Sequence, residues 1–85
     1  MLTKIEIYTQ AFCPYCARAV NLLTKKGAAF EETDAPGGSP ARAEANQRSG
    51  GRTSVPQIFI DGRHIGGSDD LAALERAGKL DALLA

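Results

Sequence analysis

The sequence predicts an α/β fold, a four-stranded mixed sheet with helices on both faces. Three observations lead there. A strand-like run, Lys4-Ile5-Glu6-Ile7-Tyr8, is followed after a short loop by a helix-like run from Ala17 to Lys25. A second apolar run, Val55-Pro56-Gln57-Ile58-Phe59-Ile60, meets Asp61-Gly62, a strong hairpin signal, and returns through Arg63-His64-Ile65-Gly66. Helical patterns fill the intervals, so the order reads βαβ, helix, β-hairpin, helix.

Each element has its own reason. Ile5 and Ile7 alternate with Lys4, Glu6 and Tyr8, which predicts a first strand with one strongly apolar face. Thr9 to Phe12 form a loop. The first helix is expected from about Pro14 to Lys26, stopping at Gly27, with Lys25 and Lys26 in the last turn where cations suit the dipole. Ala29-Phe30-Glu31-Glu32-Thr33 reads as a short, weak second strand, and Ala35 to Pro40 as a turn cluster. Ser39 can cap a second helix that has Pro40 at its first position and runs to about Arg48. That helix is Ala-rich with few large apolar residues, so it should pack thinly and be the least stable element. Ser49-Gly50-Gly51 ends it. After the hairpin, Gly67-Ser68 opens a helix with Asp69 and Asp70 in its first turn and Leu71, Leu74 and Ala77 on one face. Gly78 breaks it, and Lys79 to Ala85 is a terminal helix anchored by Leu80, Leu83 and Leu84. The first two strands should be parallel, joined by a right-handed crossover. This is a thioredoxin-like architecture.

Composition narrows the function. Eighty-five residues suit a single domain, residues 1–85, with one core. Ten basic and ten acidic residues cancel, so nothing calls for nucleic acid or an anionic membrane surface. The first residues contain no apolar run long enough for a signal peptide, and no segment could span a bilayer. A cytoplasmic location is expected. Thiols there are kept largely reduced, so a cysteine pair is expected to be catalytic rather than a structural staple.

Both cysteines lie in Cys13-Pro14-Tyr15-Cys16, at the strand-to-helix turn. Two thiols so spaced can close a small disulfide ring, and the motif reads as a dithiol/disulfide redox centre. The first N–H groups of the helix lack intrahelical partners and point toward Cys13, where the dipole is positive. Both effects favour the thiolate, which is the nucleophile. Pro14 fits the first helical position, where its missing N–H costs nothing. Cys13 should cap the helix and face solvent. Cys16 should fall on a core-facing stripe with Val20, Leu23 and Gly27. This asymmetry suits an attacking and a resolving cysteine. The alternative, two small buried hydrophobes, leaves Pro14 and the strand–turn–helix context unexplained.

With these residues in view the chain resembles the glutaredoxins, most closely the short bacterial dithiol class. The resemblance rests on Tyr8-Thr9 before Cys13-Pro14-Tyr15-Cys16, then Ser54-Val55-Pro56, then Gly66-Gly67-Ser68-Asp69-Asp70, in the family's order and spacing. It implies a glutathione-dependent thiol–disulfide oxidoreductase acting on glutathionylated or disulfide-containing proteins. Glutathione would be a co-substrate, with no tightly bound cofactor and no metal, and the protein would be a monomer. It further implies a glutathione groove beside Cys13. Tyr15 would flank the cysteinyl part, Ser54 would belong to the binding groove, and Val55 would pair its backbone with that of glutathione like an added strand. Pro56 would be cis. Gly67, Ser68 and Asp69 would meet the γ-glutamyl end, the helix N-terminus facing its carboxylate and Asp69 its ammonium. Arg42 and Arg52 would meet the glycyl carboxylate. Asp69 and Asp70 are also ordinary first-turn helix residues, most surface arginines are merely solvated charges, and His64 reads as structural or exposed. Another class of function, carriage of a [2Fe–2S] cluster assembled with glutathione between two subunits, is the alternative, and Pro14 is unfavourable for it.

Three departures from the family stand out. Gln10 replaces the usual Lys, Ser68 stands where many members carry a further Cys, and Ser49-Gly50-Gly51-Arg52 is one residue longer than expected.

Overall fold

The computed structural model describes residues 3–85; Met1 and Leu2, part of the N-terminal run read for a leader, lie outside the described residues. The elements are β1 (Ile5–Thr9), α1 (Pro14–Lys25), β2 (Glu31–Asp34), α2 (Pro40–Arg48), β3 (Gln57–Ile60), β4 (Arg63–Gly66), α3 (Ser68–Arg76) and α4 (Leu80–Leu84). The sheet order is β2-β1-β3-β4, with β1 and β2 parallel and the other neighbours antiparallel. This is the expected four-stranded mixed sheet of a thioredoxin-like fold.

Side-chain alternation sends each central strand's residues to two cores. Ile5, Ile7, Ile58 and Ile60 face α1, α3 and α4, packing with Ala19, Leu23, Leu71 and Leu80. Tyr8 and Phe59 face the other way and pack with Ala35 and Ala45 under α2. The expectation of one strongly apolar face on β1 was therefore too narrow, because Tyr8 is as buried as Ile5. Arg48 covers this second core. Its guanidinium lies 4.0 Å from the Phe59 ring centre, pairs twice with the Glu6 carboxylate (3.0 and 3.2 Å), and donates to the Tyr8 hydroxyl at 2.8 Å. The Tyr8 hydroxyl donates to Glu44 in turn. The Arg48 hydrogen bonds hold the Glu6 carboxyl below its ordinary range. A helix with few large apolar side chains thus docks through a planar cation.

Several boundaries shift. Strand β2 begins at Glu31 rather than Ala29, ends at Asp34, and is exposed along its length. Strand β3 begins at Gln57, because Pro56 cannot donate to a ladder. On α1 the buried stripe is Cys16, Ala19 and Leu23, with Val20 packed at its margin. Gly27, expected on that stripe, is exposed and left-handed (φ 69°), the conformation that ends a helix. Asp61 and Gly62 both have positive φ (51° and 79°), the two-residue turn that Asp-Gly predicts. Lys26, at the end of α1, pairs with Glu75 (2.7 Å) and Asp81 (2.8 Å), joining α1 to α3 and α4.

Candidate active site

Cys13 is the N-cap of α1. Its backbone is extended (φ −112°, ψ 104°), and its sulfur accepts a hydrogen bond from the Cys16 N–H at 3.1 Å. A sulfur so placed takes up one of the helix's orphan donors. The side chain is half-buried, and Sγ lies 3.9 Å from the Val55 carbonyl oxygen. Cys16 is 3% exposed. Burial pushes its thiol up to about 12, with the adjoining Cys13 sulfur adding to the effect. The two cysteines are unpaired and chemically unlike, one presented and one held back.

Sequence reasoning passed over Phe12. It is the most exposed large apolar side chain of the described residues (103%) and has a left-handed backbone (φ 57°). An aromatic residue in that region is an outlier, and such outliers gather at functional sites. With Tyr15, 54% exposed, it sets an aromatic side chain on each side of Cys13 along the chain.

A groove of about 220 Å³ opens beside the Cys13–Val55 contact. Tyr15, Ser54, Val55 and Pro56 line one part of it, and Gly67, Ser68 and Asp69 the other, with Arg52 and Asp70 also in the wall. The Val55–Pro56 peptide bond is cis. Eight of the nine non-cysteine residues expected from sequence thus share one cleft, and Arg42 is the one outside this lining. Arg42 donates Nε and Nη2 to the Thr53 carbonyl (3.2 and 2.9 Å), and Nη1 to Gln10 Oε1 (2.8 Å) and the Ala35 carbonyl (3.0 Å). Of five guanidinium N–H groups, one on Nη2 has no partner among the described residues. Gln10 therefore does more than lack a cation: it is an acceptor for Arg42.

Arg52 sits at the α3 end of the cleft, 3.1 Å from Asp70 Oδ2. Asp70, absent from the expected site, also accepts from the Gly67 N–H at 2.9 Å. The Gly67 hydrogen bond, with help from Arg52, draws the Asp70 carboxyl below its ordinary value. Gly66 makes this fold-back possible: its φ is +124°, and a Cβ there would lie 2.2 Å from Asp70 Oδ2. The signal for Asp70 was the acid three residues past the cap. Among the described residues, no group of three or more His, Cys, Asp and Glu side chains gathers as metal ligands would.

A glutaredoxin family model matches residues 5–65. The chain belongs to the glutaredoxin family. It is 54% identical to glutaredoxin 3 of Escherichia coli over 83 residues, covering 98% of this chain and 99% of that one. The solution structure of glutaredoxin from Brucella melitensis superposes with a TM-score of 0.83 at 56% identity, covering 98% of this chain and 89% of that one. A buckwheat glutaredoxin solved as a glutathione complex gives a TM-score of 0.85 at 30% identity, over 96% of this chain and 76% of that one. Family membership and the Cys13–Cys16 pair together support thiol–disulfide oxidoreductase activity.

Proposed function

We infer that the protein reduces protein–glutathione mixed disulfides, and disulfides within proteins, with glutathione as the reductant. The observation that carries this reading is a helix-capping sulfur next to a wall of the groove. The Cys13 sulfur caps the N-terminus of α1 and lies 3.9 Å from the carbonyl of Val55, a residue of the groove that also takes in the N-terminus of α3. A glutathione sulfur at Cys13 would leave its peptide along Ser54–Val55 and its γ-glutamyl group among Gly67, Ser68 and Asp69.

The Cys13 thiolate attacks the glutathione-side sulfur of the mixed disulfide, and the protein thiolate leaves. A second glutathione thiolate then attacks the glutathione sulfur on Cys13, releasing oxidised glutathione and restoring Cys13. With a protein disulfide, Cys13 forms the mixed disulfide, and the Cys16 thiolate displaces the substrate and closes Cys13–Cys16. Two glutathiones then reduce that bond. Once Cys13 is in a mixed disulfide its sulfur carries no charge, which removes one of the influences that keep Cys16 protonated. Resolution is thereby favoured at the step that needs it. Arg52, already paired with Asp70 through Nη1, offers its other N–H groups to a substrate carboxylate, and Arg42 offers its one remaining N–H. The proposed working form is a single-domain monomer in the cytoplasm.

The deciding assay follows reduction of a glutathionylated peptide coupled to NADPH through glutathione and glutathione reductase. Turnover is expected there, and no comparable turnover when thioredoxin reductase replaces that system. The reverse preference overturns the reading. Anaerobic reconstitution with iron, sulfide and glutathione addresses cluster carriage, where a stable visible absorption band would favour the carrier.

A further inference from the structure

A buried amide stands directly behind the edge on which the proposed function lays the substrate. Gln57, the first residue of β3, is 0% exposed. A primary amide has two donors and an acceptor, and burying it unpaired is costly. Here both ends are used. Nε2 donates to the Ser54 carbonyl at 3.0 Å and to the Ser54 hydroxyl at 3.4 Å, while Oε1 meets His64 Nε2 at 2.6 Å.

The two ends depend on each other. The Ser54 carbonyl can only accept, which sets the NH₂ toward Ser54 and Oε1 toward β4, where His64 meets it in the tautomer that carries its proton on Nε2. His64 is itself held by its ring, 5.1 Å from that of Phe59. Ser54 precedes the strand, so the β3 ladder does not fix its carbonyl. In a planar trans peptide the carbonyl and the following N–H point opposite ways. Holding the Ser54 carbonyl inward therefore turns the Val55 N–H away from Gln57.

We propose that Gln57 is a positioning residue: its amide, held by His64, fixes the Ser54–Val55 peptide and so aims the Val55 backbone at bound glutathione. The inference rests on the glutathione reading, and the test separates the two. Gln57→Met removes the donor at similar length. Gln57→Glu keeps an acceptor for His64 but sets a carboxylate oxygen against the Ser54 carbonyl. His64→Phe keeps a ring against Phe59 and removes the donor to Gln57.

Both Gln57 variants should raise KM for a glutathionylated peptide about three- to tenfold, the range of one lost hydrogen bond, with a smaller change in kcat. The same peptide carrying cysteamine instead of glutathione should lose less. His64→Phe should move KM in the same direction. Without ligand, amide hydrogen exchange at Val55 should quicken while Ile58 and Phe59 keep their protection. Wild-type KM and unchanged Val55 exchange in both Gln57 variants would overturn the proposal. So would equal losses on both peptides with a lowered Tm, which would mark a structural role only. A His64→Phe protein with wild-type KM would overturn the part given to His64. If the wild-type protein does not distinguish the two peptides, the glutathione reading fails by itself, and Val55 exchange still decides the role of Gln57.

Discussion

Alkylation of the native dithiol tests the division between presented and withheld thiol. Burial raises Cys16 from an ordinary 9.0 to about 12. At pH 7 roughly one Cys16 thiol in 10⁵ is then ionised, against roughly one in 10² for an ordinary cysteine of that reference value. Only the thiolate reacts, and its fraction falls about a thousandfold on folding; the more basic thiolate recovers roughly thirtyfold of this, so ionisation alone should slow Cys16 about thirtyfold. Its 3% exposure slows it further. The assay treats folded, reduced protein with limiting iodoacetamide at pH 7 and maps the first adduct by mass spectrometry, so that each chain is read before a second hit. Essentially all first adducts should fall on Cys13, whereas in urea both cysteines should react. Cys16 carrying more than about a tenth of the first adducts in the folded protein would refute the reasoning, because neither burial nor ionisation could then be protecting it.

Two further outcomes follow from the same geometry. Asp69→Asn removes the proposed partner of the γ-glutamyl ammonium, and a charge-assisted hydrogen bond is worth about 1.5–3 kcal/mol. Steady-state kinetics should show kcat/KM for a glutathionylated peptide falling about tenfold or more, with a smaller loss on a non-glutathione disulfide; equal losses would indicate damaged folding instead. The raised Cys16 value also sets an alkaline limit. The folded state favours the neutral thiol, so the stability this group contributes is fully present below about pH 9 and is lost as pH rises toward about 12. Urea unfolding of Cys16→Ser should show a weaker alkaline decline than the wild type, and parallel declines would contradict this.

Much of the fold was legible because local and long-range signals agreed. Ile5 and Ile7 alternate with polar neighbours, Asp61-Gly62 has the backbone freedom its turn needs, and Ser39-Pro40 caps α2 through the Arg42 N–H at 3.1 Å. Strand β2 was less legible. Its four residues are exposed and polar, and only pairing with β1 makes them a strand. The second core was partly hidden too, because Arg48 reads as a solvated charge until Tyr8, Phe59 and Glu6 surround it. In the site, motif order collected the cleft, but motif order does not report which way a guanidinium turns. Arg42 spends most of its donors on Gln10, Ala35 and Thr53, and Arg52 turns to Asp70. Gln57 was invisible for a related reason: a polar residue in an apolar strand acquires meaning only when Ser54 and His64 are found on either side of its amide.

The central claim, that Cys13 attacks and Cys16 resolves, is tested most directly by running single-cysteine variants on two substrates. Cys13→Ser should abolish both deglutathionylation and protein-disulfide reduction. Cys16→Ser should keep deglutathionylation, since free glutathione can release the glutathione held on Cys13, and should lose most protein-disulfide reduction. Deglutathionylation surviving in Cys13→Ser but lost in Cys16→Ser would contradict the account.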